Sequence, residues 1–325
     1  MFFRTRIAAF CMSFLTVAIL SQNSMAADWP SGVVRIVTPF PPGGTTDMVA
    51  RLMAEELTKV LGQQVMVENR PGANTQIGTD FVAKAKPDGH TLLLSTSPYA
   101  VLAALYPKLP YDAKRDLEPV TVIAQAPLVL IANPAVPAKT VQEMVAQSKA
   151  KPGSILMAST GNTGLSYMSS ALFAGEAKIE MTMVPYKGSG QVLPDLMGGH
   201  VSYFFDSPST AIPLIKTGKV RGVAFTGAKR SPILPDVPTM AESGFPGFET
   251  VVWYGLFAPA KTPTNVMDRL NREISKILKR PDIIERLVGD AVEPIGSSRA
   301  TAREFIHKDI DKWTKVVQQQ GIKPD

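Results

Sequence analysis

Pro39-Phe40-Pro41-Pro42-Gly43-Gly44-Thr45-Thr46-Asp47 separates a short apolar run, Val33 to Thr38, from a longer amphipathic one, Thr46 to Leu61. The first run has the length and β-branched content of a buried strand. In the second, Val49, Leu52, Met53, Leu57, Val60 and Leu61 recur at helical spacing, and Gly62 is a suitable stop. Strand, glycine turn and helix in that order are the unit of an α/β layer with a largely parallel sheet. Glycine lets the backbone turn sharply and approach a ligand with no Cβ in the way. The unpaired N–H groups of the helix's first turn carry partial positive charge and favour an anion. Thr45 and Thr46 add hydroxyl donors. In open α/β sheets, ligands bind at such strand ends. An ordinary strand-to-helix turn capped by Thr or Asp has the same composition, so the stretch alone leaves both readings open.

The pattern continues on both sides. Val65 to Glu68 reads as a strand, Asn69-Arg70-Pro71-Gly72 as a turn, Ile77, Phe81, Val82 and Ala85 as a helix face, and Thr91 to Ser95 as a third strand. A second unit of the same design follows Pro137. Thr140 and Glu143 form a capping box, Ile155 to Ser159 is a strand, Thr160-Gly161-Asn162-Thr163-Gly164 is a small polar turn, and Ser166 to Ala174 is a helix. Met181 to Pro185, Val201 to Asp206 and Val220 to Thr226 are further strands, and Asp206 to Ser209 forms a third turn on the same edge. Two apolar stretches, Val120 to Ala132 and Thr250 to Ala258, read as strands crossing between two lobes. Helices expected near Asn265 to Lys279 and Ala302 to Gln319 pack back on the first lobe. The expected architecture is α/β: two Rossmann-like lobes joined by crossing strands. Lobe 1 is discontinuous, residues 27–127 plus 251–325, and lobe 2 is residues 128–250.

The N-terminus sets the compartment. Arg4 and Arg6 precede an apolar run, Ile7 to Leu20, shorter than the roughly 18 residues of a spanning helix. Ser24-Met25-Ala26 has the small residues of a cleavage site, so residues 1–26 read as a secretory signal peptide and the mature chain as periplasmic. Cys11 is the only cysteine and lies inside that run. The mature chain therefore lacks disulfides, thiolate nucleophiles and cysteine-ligated metals. Removing Arg4 and Arg6 takes the formal charge from +6 to +4, with no block of like charges to grip a nucleic acid.

Catalytic signatures are incomplete. Gly218-Lys219 continues with Val220, so no phosphate loop forms, and Gly188-Ser189-Gly190 lacks the third dinucleotide-binding glycine. Gly164-Leu165-Ser166 opens like a nucleophile elbow, but Met168 stands where glycine is needed. His90, His200 and His307 are far apart and form no zinc pair. No metal and no cofactor are expected. Aromatic candidates for the cleft are Phe40, Tyr99, Tyr167, Tyr186 and Trp253, against the alternative of core packing.

These residues give the chain a resemblance to the tripartite tricarboxylate transporter substrate-binding proteins, the TctC-like or Bug family. Trp29-Pro30, Pro39 to Asp47 with Ala50-Arg51, Asn69-Arg70-Pro71-Gly72-Ala73, Pro87-Asp88-Gly89-His90-Thr91-Leu92 and Leu109-Pro110-Tyr111-Asp112 appear in the family's order. Val184-Pro185-Tyr186-Lys187-Gly188-Ser189-Gly190 and Leu234-Pro235-Asp236-Val237-Pro238-Thr239 complete the set. The resemblance implies a Venus-flytrap fold, a ligand carboxylate held by the loops at 39–47 and 160–164, and delivery to a membrane permease of large and small subunits. It implies a di- or tricarboxylate, an acidic amino acid or an aromatic carboxylate as ligand. The chain departs from the family at Gly161-Asn162-Thr163-Gly164 with Tyr167, where Gly-Asn-Gly-Ser/Thr and a histidine are usual, and at Asn74-Thr75, where Gly-Gly is frequent.

The candidate ligand-binding residues are Phe40, Pro41, Gly43, Gly44, Thr45, Thr46, Asp47, Ser97, Thr160, Gly161, Asn162, Thr163, Gly164 and Asp206. The expected function is a monomeric, non-catalytic solute receptor whose lobes close on a carboxylate, because ligand touches both lobes only in the closed state. The alternatives are a ligand sensor that partners a membrane kinase, and a secreted hydrolase using Ser166 or Asp47, for which no base and orienting group are found.

Overall fold

The computed structural model describes residues 29–161 and 164–323. The signal-peptide reading of residues 1–26, and the ligand-contact reading of Asn162 and Thr163, lie outside the described residues. The chain runs β1 (Val34–Thr38), α1 (Thr45–Leu61), β2 (Val65–Asn69), α2 (Gln76–Ala83), β3 (Thr91–Thr96), α3 (Pro98–Leu105), β4 (Leu117–Pro127) and β5 (Val129–Ala132). Then follow α4 (Val141–Ala150), β6 (Leu156–Thr160), α5 (Leu165–Ala177), β7 (Thr182–Tyr186), α6 (Ser189–Gly198), β8 (Tyr203–Asp206), α7 (Pro208–Lys216) and β9 (Arg221–Phe225). It ends with β10 (Val251–Pro259), α8 (Thr264–Ile277), α9 (Pro281–Gly289), β11 (Glu293–Pro294) and α10 (Arg299–Gln320).

The strands form two mixed sheets, ordered β11-β4-β10-β3-β1-β2 and β7-β6-β8-β5-β9. Each has a parallel part built from strand-turn-helix units, β2, β1 and β3 in one and β7, β6 and β8 in the other. Each also has antiparallel strands beside it: β10, β4 and β11 in the first sheet, β5 and β9 in the second. This is the two-lobed α/β architecture expected from the sequence, with crossing strands between the sheets. The first crossing leaves β4 and enters β5 with only Leu128 between them; the second runs from β9 through residues 226–250 to β10.

Local signals explain the elements. Apolar residues of α1 at helical spacing are buried, and Gly62 closes the helix with φ +70°, its N–H donating to Thr58 O at 3.2 Å. Few residues but glycine take that backbone without strain. Glu143 N donates to Thr140 Oγ1 at 3.1 Å, as the capping box requires. In α8, Val266, Met267, Leu270, Ile274 and Ile277 form the buried stripe that lies against the first sheet with α1.

The C-terminal helix does more than cover the first lobe. α10 packs on α3 and β4, and also on α5 of the second lobe, where the Gln320 side chain lies over Gly175. One hydrophobic cluster therefore runs through both lobes, from Val37 and Leu93 through Trp253, Ile306 and Trp313 to Met168 and Phe173. Within it Asp309 is buried. It accepts the Trp253 indole N–H at 2.8 Å and pairs with Lys312, 2.7 Å away, whose ammonium also donates to Glu249 O at 3.1 Å. Removing the Asp309 carboxylate leaves a buried indole donor unpaired, at a cost of about 1–3 kcal/mol. The Asp309→Ala variant is therefore expected to have a lower urea midpoint with an unchanged slope; an unchanged midpoint would mean that water or another acceptor takes its place.

Candidate ligand-binding site

The turn between β1 and α1 is held from behind by one carboxylate. Asp47 Oδ2 accepts Gly43 N–H at 3.0 Å and Arg51 Nε–H at 2.9 Å, and Oδ1 accepts Asn69 Nδ2–H at 3.0 Å. Asn69 also donates to Phe40 O at 3.1 Å, so β2 and α1 together fix the turn. The Arg51 hydrogen bond, helped by those of Gly43 and Asn69 and by the Arg51 charge, outweighs burial and lowers the Asp47 pKa to about 2. Asp47 is thus an anchored carboxylate rather than a general base. Gly78 in α2 completes the support: a Cβ there would stand 2.7 Å from Arg70 O and 2.9 Å from Pro39 Cβ, so only glycine lets the two segments approach.

What the turn presents outward is main chain. Pro41, Gly43, Gly44 and Thr45 are exposed, and Phe40 and Thr46 half-buried. The N–H groups of Gly44, Thr45 and Thr46 find no acceptor among the described residues, as expected for the start of a helix. Beneath them lie two hydroxyls that sequence reading missed. Thr38 Oγ1 is buried without a partner among the described residues. Tyr254 is buried, and burial, offset in part by the Thr45 hydroxyl nearby, pushes its pKa up to about 12.

The turn after β6 is built differently. Gly161 takes φ +67°, and its N–H donates to Tyr186 O at 2.9 Å. Gly164 begins α5 where a Cβ would stand 2.3 Å from Thr160 O, so no side chain fits. Ser166 Oγ accepts Thr160 N–H at 2.9 Å and lies 2.9 Å from Thr160 Oγ1. The serine considered as a nucleophile therefore braces this turn. A cavity of 610 Å³ opens beside Gly161 and Tyr167.

Two expected contacts have their polar atoms committed elsewhere. Ser97, fully buried, donates to Val251 O at 2.8 Å and accepts Trp253 N–H at 3.1 Å, which fixes the start of β10. Asp206 is buried, and its oxygens accept Ser189 Oγ–H at 3.0 Å and Thr210 Oγ1–H at 2.6 Å. Burial raises its pKa against those bonds. Both hold neighbouring elements in place. Tyr99 and Trp253 are core residues: the Tyr99 hydroxyl donates to Ala113 O at 2.6 Å, and the Trp253 indole is bound to Asp309. Phe40, Tyr167 and Tyr186 stay half-buried beside the two turns. Among the described residues no His, Cys, Asp and Glu side chains gather as a metal cluster, and no helix is long and apolar enough to cross a membrane.

The Asp47 network gives a signed expectation for pH. A carboxylate whose pKa is lower in the folded state contributes stability above its unfolded pKa, here the ordinary 3.8, and that contribution is lost as pH falls through about 2. Acid titration of stability should therefore be shallower between pH 4 and 2 in Asp47→Asn than in the parent chain; superimposable acid limbs would remove Asp47 from the account.

Comparison with known proteins places the chain among related sequences and folds. Residues 49–322 match the tripartite tricarboxylate transporter family receptor. The chain is 36% identical to protein BugT of Bordetella pertussis over 321 residues, covering 98% of each chain. It superposes on a Rhodopseudomonas palustris protein solved with adipate, at TM-score 0.76 and 35% identity, over 92% of this chain and 100% of that one. It also superposes on MatC of Rhodopseudomonas palustris with bound malate, at TM-score 0.72 and 34% identity, over 89% and 100%. The periplasmic binding protein BugD matches at TM-score 0.73 and 31% identity, over 91% and 100%.

Proposed function

This chain belongs to the tripartite tricarboxylate transporter receptor family, a family of binding proteins rather than enzymes, and on that premise we propose that it captures a small carboxylate between its lobes in the periplasm and delivers it to a membrane permease. Residues 1–26 are then the leader, 27–127 with 251–325 the first lobe, and 128–250 the second, in a receptor that acts as a monomer. The observation that carries the reading is the start of α1. Three uncommitted main-chain N–H groups, at Gly44, Thr45 and Thr46, sit on a turn that Asp47 has already fixed. Preformed donors at a helix N-terminus favour a carboxylate without any change of protonation. Gly161 and its turn are proposed to close on the ligand from the second lobe, with Thr160 and Gly164 shaping that turn. Ser97 and Asp206 contribute by positioning. Two relatives hold adipate and malate, which makes small diacids the first candidates for this chain.

The test is a thermal-shift screen against mono-, di- and tricarboxylates, amino acids and aromatic acids. A ligand at about 100 times its dissociation constant adds about 2.7 kcal/mol of stability, a rise of a few degrees for a chain of this size. The response should vary little between pH 6 and 8, since no histidine lies in the proposed site. Gly161→Trp is expected to abolish the shift; Gly161→Asn, whose side chain tolerates the left-handed backbone, controls for strain and should keep the fold. No shift with any acid, from folded and ligand-free protein, would overturn the receptor reading.

A further inference from the structure

We infer that a cavity beside the joint between the two sheets is a second binding site, one that takes a neutral apolar ring compound and biases the angle between the lobes. The cavity measures 430 Å³ and shares no lining residue with the one beside Gly161. One wall comes from the end of α9 and from β11, with Val288 and Val292. The other comes from α7 and the segment after β9, with Ile212 and Ile233. Pro127, Phe225 and Val251 add to the apolar lining. Val288 and Ile233, one on each wall, are 41% and 37% exposed. Large apolar side chains left uncovered in a pocket of small-molecule size mark a place where something apolar binds.

Both walls are preformed. On the β9 side, Phe225 N–H donates to Pro238 O at 2.8 Å and Phe225 O accepts Met240 N–H at 2.8 Å, while Arg230 donates to Glu242 Oε2 at 2.8 Å and to Pro235 O at 2.9 Å. On the other side, Val292 N–H donates to Leu287 O at 3.0 Å, and β11 pairs with β4 through Glu293 and Gln125. A rigid ring loses less conformational entropy than a flexible chain on entering such walls. The lining asks for no charge. Among the described residues none of its side chains is a buried polar group without a partner, Arg230 is committed, and Lys229 and Glu293 set opposite charges on the two walls. The position gives an occupant leverage. Pro127, Gly227 and Val251 are the chain neighbours of Leu128, Thr226 and Thr250, which are hydrogen-bonded together at the crossings. A Cβ on Gly227 would stand 3.0 Å from Pro127 Cβ, so the crossings have little slack there. A molecule that touches both walls favours the lobe angle that fits it.

The probe is N-phenyl-1-naphthylamine, an uncharged ring compound whose fluorescence rises in apolar surroundings. Titrated into the parent chain, it should show saturable binding to one site. V288W and I233W, which fill the cavity from opposite walls, should each abolish that signal and melt with the parent chain, since both positions are exposed. V288S should weaken binding severalfold. Hydrogen exchange with and without the probe locates the site: protection should be strongest at residues 225–233 and 288–293. Protection confined to residues 39–47 and 160–164, binding unchanged in both folded tryptophan variants, or no saturable binding in the parent chain would overturn the inference. The small-angle scattering profile should change when the probe binds; an unchanged profile would overturn its hold on the lobe angle. Carboxylate capture at the α1 amides is read separately, in the screen above, and stands or falls on that result.

Discussion

At Thr226 one buried residue serves both passages of the chain between the two sheets. Its N–H donates to Leu128 O at 2.9 Å, its hydroxyl accepts Leu128 N–H at 2.8 Å and donates to Thr250 O, and its carbonyl accepts Thr250 N–H at 3.1 Å. Ser169 Oγ then donates to Thr250 Oγ1 at 2.8 Å, which ties α5 to the same point. Residues at a crossing have left one ladder of hydrogen bonds before joining the next, and buried peptide groups there need other partners. Valine would match threonine in shape and leave Leu128 N–H and Thr250 O unpaired. The two crossings are thus one narrow joint, tied by a single buried side chain.

On either side of that joint, side chains work from behind and main chain faces forward. Asp47 and Ser166, the groups a hydrolase would use, and Asp206, an expected ligand contact, are all spent on bracing: Asp47 on the β1–α1 turn, Ser166 on the β6–α5 turn, Asp206 on the starts of α6 and α7. A carboxylate site built from peptide N–H groups suits a binding protein. It supplies partial positive charge that does not titrate.

Much of this was legible in the sequence because it is local. The β1 turn, the helix that follows and the capping box at Thr140 each depend on residues within a few positions of one another. What could not be read depends on partners far away. Ser97 is committed by Val251 and Trp253, more than 150 residues along the chain. Nothing near Gly78 reveals that it must pass between Pro39 and Arg70. Trp253 was one of five candidate cleft aromatics, yet its neighbour Tyr254 is the one near Thr45 of the turn. β10 is apolar on both faces, so alternation, which would have told the two apart, is absent from that stretch. Helix α9 was missed for a related reason: Ile283 and Leu287 are its only fully buried positions, too few to show a period.

The C-terminal helix places a condition on any movement of the lobes. α10 is anchored to the first lobe through α3, β4 and the Trp253–Asp309 bond, and it touches the second through α5. The same α5 begins at Gly164, at the turn proposed to meet the ligand, and lies against Gln320 near its other end. A rotation about the Thr226 joint that carries the Gly161 turn toward β1 therefore also moves α5 across α10. Packed helices slide past one another by small steps more readily than they separate, because separation exposes apolar surface whereas sliding exchanges one set of contacts for another. The fold accordingly favours rotation in which α5 rolls on α10 over a simple parting of the lobes, with the continuous hydrophobic cluster as the surface on which it rolls.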